Sequence, residues 1–511
     1  MKATRKLLAA LLAVPTLITL FTGCATDEEG CRLWADQGKL VVLKNGSDPV
    51  TSDSAKTDVT TSPAETEPEF PAADYGKTKF TVYGRGDGEA SYPGLYIDTE
   101  DSSDTMGHKT RERNSIVETK YNIDIEFTTD PNPYKNVSKF IDSGDSEFDL
   151  ILDRRSMLNS LAQSGYLKDF NTLEHVDFTK PWWDANCARD YEVAGKLFFM
   201  ANDISVSNLA GTRFLYFNKA LIEKNQLESP YDLVHQNKWT IDKMLEMVKA
   251  VNVDNGDGVW NGQDVYGFLA ETGSANGTVI HMLVGCGIKY TEKAEDGTIV
   301  CNAYNEKTLA VVEKIYDVFE NQTCTLTYQK CAEGADMSGF ANKYNYGRSL
   351  FASDHFLFVQ NGMSISDQFK EMNPGFGIAP NPKYNEDQES YYHKMDKYAL
   401  IWAIPNFKDL DTERLGIVME YWAYQSSRTV MPAYYEVVIK FRRATDPNAH
   451  EMLDIIKGSI RYDISELFTS TITDVIWNGY ASGNLASRWA QSKDAINVSI
   501  DAFYNKIKDL G

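Results

Sequence analysis

Cysteine is sparse: the seven residues at 24, 31, 187, 286, 301, 324 and 331 form no Cys-x-x-Cys pair, so neither a zinc knuckle nor a thioredoxin-type redox site is signalled. Histidines are also few, seven and scattered, and no His-Glu-x-x-His occurs. Gly76-Lys77-Thr78 lacks the upstream glycine of a phosphate-binding loop, and no Gly-x-Ser-x-Gly elbow is present. Basic residues are outnumbered, 51 against 73 acidic ones. The resulting net charge of −22 has the wrong sign for a nucleic-acid partner, whose phosphates call for a basic footprint. Beyond the first residues no apolar run is long enough to span a bilayer, and there is no internal repeat. What remains is an acidic chain, 42% hydrophobic and 12% aromatic, suited to a well-packed exported globule.

The first residues read as an address. Lys2, Arg5 and Lys6 precede the apolar run Leu7–Leu20, too short for a comfortable span and fitting a secretory signal over residues 1–23. The run ends in Leu20-Phe21-Thr22-Gly23-Cys24, which resembles a bacterial lipobox, with Phe21 where leucine is usual. The resemblance implies that Cys24 is lipidated and becomes the new N-terminus. An ordinary signal peptide with an incidental cysteine is the alternative. Residues 24–75 read as a disordered acidic tether. Between Thr51 and Asp74 there is almost nothing to bury, and such a composition cannot offset chain entropy. Leu40-Val41-Val42-Leu43 is a small apolar island within it.

From Gly76 onward the chain is long enough for two lobes with separate cores. Strands are predicted at Lys79–Tyr83, Ile123–Phe127, Phe148–Leu152, Lys196–Ala201, Arg213–Lys219 where a strand enters a helix, Phe356–Gln360 and Gly375–Pro380. Helices are predicted at Lys109–Tyr121, Leu233–Val251 with Trp239-Thr240 near its real start, Leu309–Glu320, Leu415–Gln425 and Ala449–Ile456. This alternation implies α/β layers with mostly parallel strands. Open α/β sheets bind ligands beyond the carboxyl ends of their strands. Arg85 and Asp87 after the first strand, and Asp153 and Arg154 after Phe148–Leu152, are therefore candidate ligand contacts. A salt bridge or solvated loop charge is the competing reading for each. Cys286–Cys301 and Cys324–Cys331 either pair or remain buried thiols. The loop from Val253 to Asp264 resembles an EF-hand-type calcium loop, with Asn255, Asp257, Val259, Asn261 and Asp264 as candidate ligands and Gly258 at the sharp turn. Val253 stands where aspartate is expected and Asp264 where glutamate is, so a glycine-rich turn competes with a structural calcium site; no other cofactor is implied.

The order of landmarks is similar to that of the family 1 extracellular solute-binding proteins of ABC importers, the sugar binders that include maltose-binding protein. The resemblance is carried by Phe148-Asp149-Leu150-Ile151, Ala162-Gln163-Ser164-Gly165-Tyr166-Leu167, Gly195-Lys196-Leu197 and Phe217-Asn218-Lys219. Phe356–Gly362 with Gly375–Pro382 continues it, and the order spans nearly all of residues 79–511. The family implies a periplasmic-binding-protein type II fold, two α/β lobes with a ligand cleft between them. Lobe one would be 76–210 plus 374–428, and lobe two 213–372 plus 429–511. Crossings would fall near Leu209–Arg213, Asn373–Gly375 and Thr429–Pro432.

The implied function is a lipid-anchored, extracytoplasmic receptor that closes by hinge rotation on a carbohydrate, an oligosaccharide, and hands it to the permease of an ABC importer. Its partners would be that sugar, the permease subunits and the membrane beneath Cys24, with no nucleic acid and the chain a monomer. By resemblance Asp87, Asp153 and Arg154 lie where the family places polar sugar ligands, and Arg213 lies near another such position. Ser364 stands roughly where maltose-binding protein has a stacking tryptophan, which puts maltodextrin itself in doubt. Trp183, Tyr434 and Trp477 are the aromatic candidates, with core packing as the competing role. A surface-anchored carbohydrate-active enzyme or glycan adhesin is the alternative function, because pairing of carboxylates cannot be read from a sequence.

Overall fold

A computed structural model describes residues 67–86, 95–99, 103–274, 276–440, 447–468 and 470–510, and the backbone of 32–36 and 39–43. The signal segment, Cys24 and most of the tether lie outside the described residues. Within the stretch read as a tether, Arg32–Asp36 pairs antiparallel with Lys39–Leu43. The Val-Val-Leu island has the β-propensity for it. The compact body runs from Phe70 to Gly511, beginning before the expected Gly76. Phe70 explains the difference: its ring meets Tyr421 edge-on at 4.9 Å and lies 5.0 Å from Tyr424. Among the described residues no helix is long and apolar enough to cross a membrane.

Two five-stranded sheets organise the body. The first runs, edge to edge, Ile123–Thr129, Thr78–Gly84, Leu150–Arg154, Leu400–Pro405 and Leu167–Lys168. The second runs Thr325–Thr327, Tyr266–Ala270, Phe356–Asn361, Phe214–Asn218 and Phe376–Ala379. In each, three neighbouring strands are parallel and the remaining two are joined antiparallel, so the sheets are mixed rather than mostly parallel. Central strands such as Phe214–Asn218 and Phe356–Asn361 are buried at every position, as sheets covered on both faces require. Lys196–Ala201, predicted as a strand, makes only isolated bridges. Met200 exchanges both backbone hydrogen bonds with Trp402, at 3.1 and 3.0 Å, and the pairing goes no further. The helix predicted within Leu233–Val251 starts at Ile241, beside the expected Trp239-Thr240, because the Thr240 hydroxyl caps it by accepting from Lys243 N–H at 3.4 Å, and Pro230–His235 is a separate short helix before it.

The chain passes between the sheets more than once. It leaves the first sheet after Leu167–Lys168 and enters the second at Phe214, beside the expected crossing. The next crossing is displaced. Phe376–Ala379, assigned from sequence to lobe one, pairs with Phe214–Asn218 in the second sheet, so the return follows it, between Pro380 and Leu400. A glycine makes that pairing possible, since a Cβ on Gly377 would lie 1.9 Å from the Phe217 ring. Val430–Lys440, expected in lobe two, packs instead on the first-lobe helices Thr105–Tyr121 and Thr412–Arg428. The long helix Leu485–Lys508 reaches back to lobe one, where Lys196 Nζ donates to the carbonyls of Ile507 and Lys508 at 3.3 and 3.1 Å. A cation at a helix C-terminus complements the orphan carbonyls there.

Candidate functional site

Both sheets bring corresponding ends together. In the first sheet Arg85 and Arg154 follow the carboxyl ends of parallel strands, and the antiparallel strand Leu400–Pro405 begins opposite Arg154. In the second sheet Glu271 and Asn361 stand at carboxyl ends, and Phe214 is paired opposite Asn361. The segment 394–398 joins the two ends. Arg213 N–H donates to Lys394 O at 3.3 Å, and Lys397 N–H donates to Asn276 Oδ1 at 3.2 Å.

Arg213 is buried here and spans both sides. Its Nε and Nη2 donate to Asp396 Oδ2 at 3.0 and 2.7 Å, while Nη1 donates to Glu271 Oε2 at 2.5 Å and Asn276 O at 3.3 Å. On the first-lobe side Arg154 lies over the Tyr398 ring, 4.7 Å from its centroid, and Lys397 approaches the same ring at 4.8 Å. Such cation–ring contacts leave the guanidinium edge available to an incoming acceptor. Arg154 Nε is buried without a hydrogen-bond partner, and so is Arg348 Nε on the second-lobe helix Lys343–Ala352. Burial, and then the Glu271 charge, push the Tyr344 phenol up, while Arg213 and Arg348 oppose them and Tyr398 adds to the rise. Tyr328 is raised by burial against the pull of Arg348. The arrangement is two aromatic side chains, Tyr344 and Tyr398, among guanidinium groups with unspent donors. It can hold a ligand's acceptors and its apolar face together.

The other sequence candidates fall in different places. Asp153 is fully buried and accepts from Arg85 Nε at 3.0 Å, Arg154 N–H at 2.8 Å and Tyr134 N–H at 3.4 Å. Burial pushes its carboxyl up, against those donors. Arg85 also donates to Pro131 O. This pair is thus a support beneath the site, positioning Arg154 and the start of helix Pro133–Ser143. Asp87 lies outside the described residues. Trp183 is buried in lobe one, its ring edge-on to Phe178 at 5.2 Å and its Nε1 donating to Glu420 Oε2 at 2.7 Å, so packing claims it. Tyr434 is buried against Tyr96 at 6.3 Å, and Trp477 stacks at 5.7 Å on Tyr480 of its own helix. Ser364 sits in the short 3-10 segment Met363–Phe369, just past Asn361.

The loop at 253–264 closes on itself. Asp264 accepts Asn255 N–H at 2.9 Å and Asn261 N–H at 2.7 Å, one on each oxygen. Asp257, Asn255 and Asn261 likewise accept backbone N–H groups two residues on, and Val259 is exposed. Among the described residues no group of three or more His, Cys, Asp or Glu is placed to hold a metal ion. Cys286, Cys301, Cys324 and Cys331 are unpaired thiols, and burial raises Cys286 and Cys331 to about 12.

Sequence reasoning missed Tyr398, Asp396, Glu271, Tyr344 and Arg348. Tyr344 and Arg348 did carry a signal, because a spacing of four within Lys343–Ala352 puts them on one helix face. Asp396 and Tyr398 carried none, lying in a connection between elements.

This geometry matches known proteins at the level of fold. An acarbose-binding GacH receptor of Streptomyces glaucescens superposes with a TM-score of 0.50 at 13% identity, over 85% of this chain and 100% of that one. The chain has the periplasmic-binding-protein type II fold. A cyclo/maltodextrin-binding protein complexed with maltotetraose gives 0.50 at 16% identity over 85% and 97% of the two chains. RafE of Streptococcus pneumoniae in its apo form gives 0.51 at 14% over 85% and 98%. No protein-family model and no curated protein matches the sequence. The two-lobed architecture expected from the resemblance to family 1 solute-binding proteins is thus present, with its crossings shifted as described.

Proposed function

We propose that this chain is the substrate-binding protein of an ABC importer, holding a carbohydrate between its two lobes and carrying out no chemistry on it. The observation that supports this reading is Arg154, a guanidinium with an unspent donor lying over the Tyr398 ring where the two sheets' ends meet, with Tyr344 and Arg348 on the second-lobe helix nearby. Sugars present hydroxyl edges and apolar C–H faces, and that pairing serves both. Neighbours of the same fold include receptors bound to acarbose and to maltotetraose, which favours an oligosaccharide. Contacts from both lobes would favour the closed form, the shape offered to a permease. Lipidation at Cys24 would keep a monomeric body at the outer face of the membrane.

A thermal-shift screen of the full chain over mono- and oligosaccharides tests the proposal. One saccharide is expected to raise the melting temperature by mass action, with the sugar recovered at its original length. Absence of any shift overturns carbohydrate binding, and shorter products would favour a surface-anchored carbohydrate-active enzyme instead. For the anchor, Cys24→Ser is expected to move the protein from the membrane fraction to the medium.

A further inference from the structure

A cavity of about 330 Å³ lies beside the strand-end cluster and meets it at Lys394. Its walls come from three places: Arg189 and Asp190 on the first-lobe helix Ala185–Tyr191, Tyr290–Lys293 in the second lobe, and Lys394 and Arg461 on the short parallel pair at the crossings. Its volume suits a small organic ligand.

The acids and bases of this lining are not equally spent. Asp463 accepts Tyr290 N–H and Thr291 N–H at 2.8 and 3.0 Å, and the hydroxyls of Thr291 and Ser465 at 2.8 and 2.6 Å. Asp190 takes Arg189 Nε at 2.7 Å and Tyr462 N–H at 3.3 Å. Glu466 is held by Arg155 Nη2 at 2.9 Å and by Lys394 Nζ. Glu292 and the exposed Lys289 also line the cavity. Arg461 is different. Its guanidinium lies over the Tyr392 ring at 4.6 Å, makes one long contact to Asn186 Oδ1 at 3.4 Å, and has an Nε with no partner. A guanidinium flattened on a ring keeps its donor fork for a planar or tetrahedral oxyanion.

We propose that this cavity is a second ligand site, taking a small oxyanion, an organic carboxylate or a phosphate, on Arg461, and that its occupancy is coupled to the cleft. A chain of contacts joins the two places. Lys394 and Glu466 line the cavity; Arg155 ties Glu466 to the carbonyls of Asp396 at 3.0 Å and Met395 at 3.5 Å; Asp396 then holds Arg213, which reaches Glu271. Because the walls belong to both lobes, a ligand there has different contacts when the lobes rotate, and that difference is what coupling requires.

Titration calorimetry of the full chain with glucuronate, and separately with inorganic phosphate, tests the site. At least one probe is expected to bind with a Kd of about 1 mM or tighter. Arg461→Gln should weaken it at least roughly tenfold at an unchanged melting temperature, and Arg154→Ala should leave it alone. Should Arg461→Gln melt early, the exposed Lys289→Glu serves as the second variant, with the same loss expected. A wild-type chain that binds neither probe, variants that bind like wild type, or loss of binding in Arg154→Ala would overturn the site; the probe that binds separates an organic acid from free phosphate. The coupling rests on saccharide binding at the cleft and is read separately. Saturation with the probe should change saccharide affinity at least about threefold, and the saccharide should change the probe's affinity equally. An unmoved saccharide affinity overturns the coupling, whereas failure of every saccharide to bind would count against the cleft reading and leave the probe titration standing.

Discussion

Arg213 Nη2 donates to Asp396 Oδ2 across 2.7 Å, and the two residues belong to different crossings between the lobes. The bond therefore ties the entry into the second sheet to the return into the first. Both side chains are buried, and Glu271 shares the same guanidinium. Removing Arg213 would take the shared guanidinium away from both carboxylates. Arg213→Met is expected to cost about 3 kcal/mol or more of stability, read by urea unfolding. A loss under about 1 kcal/mol would mean that the carboxylates find water or another donor.

Neighbouring residues should separate support from contact. Asp153→Ala removes the acceptor of Arg85 and of the Tyr134 N–H, so it is expected to lower the melting temperature. Arg154→Ala removes a half-exposed side chain with an unspent donor. It should keep the wild-type melting temperature and lose saccharide affinity by roughly tenfold or more, the worth of a charge-assisted hydrogen bond. Calorimetry and thermal melts on the two variants decide it, and an unchanged affinity in Arg154→Ala would place the ligand elsewhere.

Acid should weaken the fold partly through His393. Its Nε2 accepts Asn381 N–H at 2.9 Å, so that nitrogen is unprotonated, and Nδ1 pairs with Ser459 Oγ at 2.8 Å. Burial lowers its pKa from 6.5 to about 3. Unfolded chains take up this proton below 6.5 and the folded one only near 3, so stability falls as pH drops through that window. Asp184 works the other way: burial raises it from 3.8 to about 6, and it adds stability as pH falls between those values. His393→Gln, which keeps an acceptor for Asn381, should therefore make melting temperature less dependent on pH between about 6.5 and 4. Equal slopes in variant and wild type would remove His393 from the account.

Glu420 holds both tryptophans of the Trp182-Trp183 pair. It accepts their indole N–H groups at 3.0 and 2.7 Å and Asp177 N–H at 3.2 Å. Glu420→Ala would orphan two buried indole donors and the half-buried Asp177 N–H, at a cost of about 3 kcal/mol, with a red shift of tryptophan emission. Trp183→Phe should reduce stability and leave saccharide affinity as in wild type. A drop in affinity without a drop in melting temperature would return Trp183 to the ligand.

Much of the lobe structure could be read early because its signals are local. Phe148–Leu152 is an apolar run stopped by charges, and the central strand Leu150–Arg154 overlaps it, two residues further on. The first crossing was legible for the same reason, with Arg213 next to the run Phe214-Leu215-Tyr216-Phe217 of a strand buried at every position. Aromatic candidates misled, since Trp183 and Tyr434 carry no mark in sequence that separates a ring in the core from a ring at a ligand. Arg85 and Asp153 lie 68 positions apart, and only folding shows that each consumes the other.

The amino-acid order alone determined that the body is built from alternating strands and helices, that it is acidic, and that charged side chains stand at strand ends, because periodicity and charge are properties of neighbouring residues. Tertiary structure decided which of those charges are free. That depends on partners brought in from distant segments: Glu420 to Trp183, Asp396 to Arg213, Tyr398 to Arg154. Desolvation makes each of these pairings all-or-none, and no spacing along the chain encodes it.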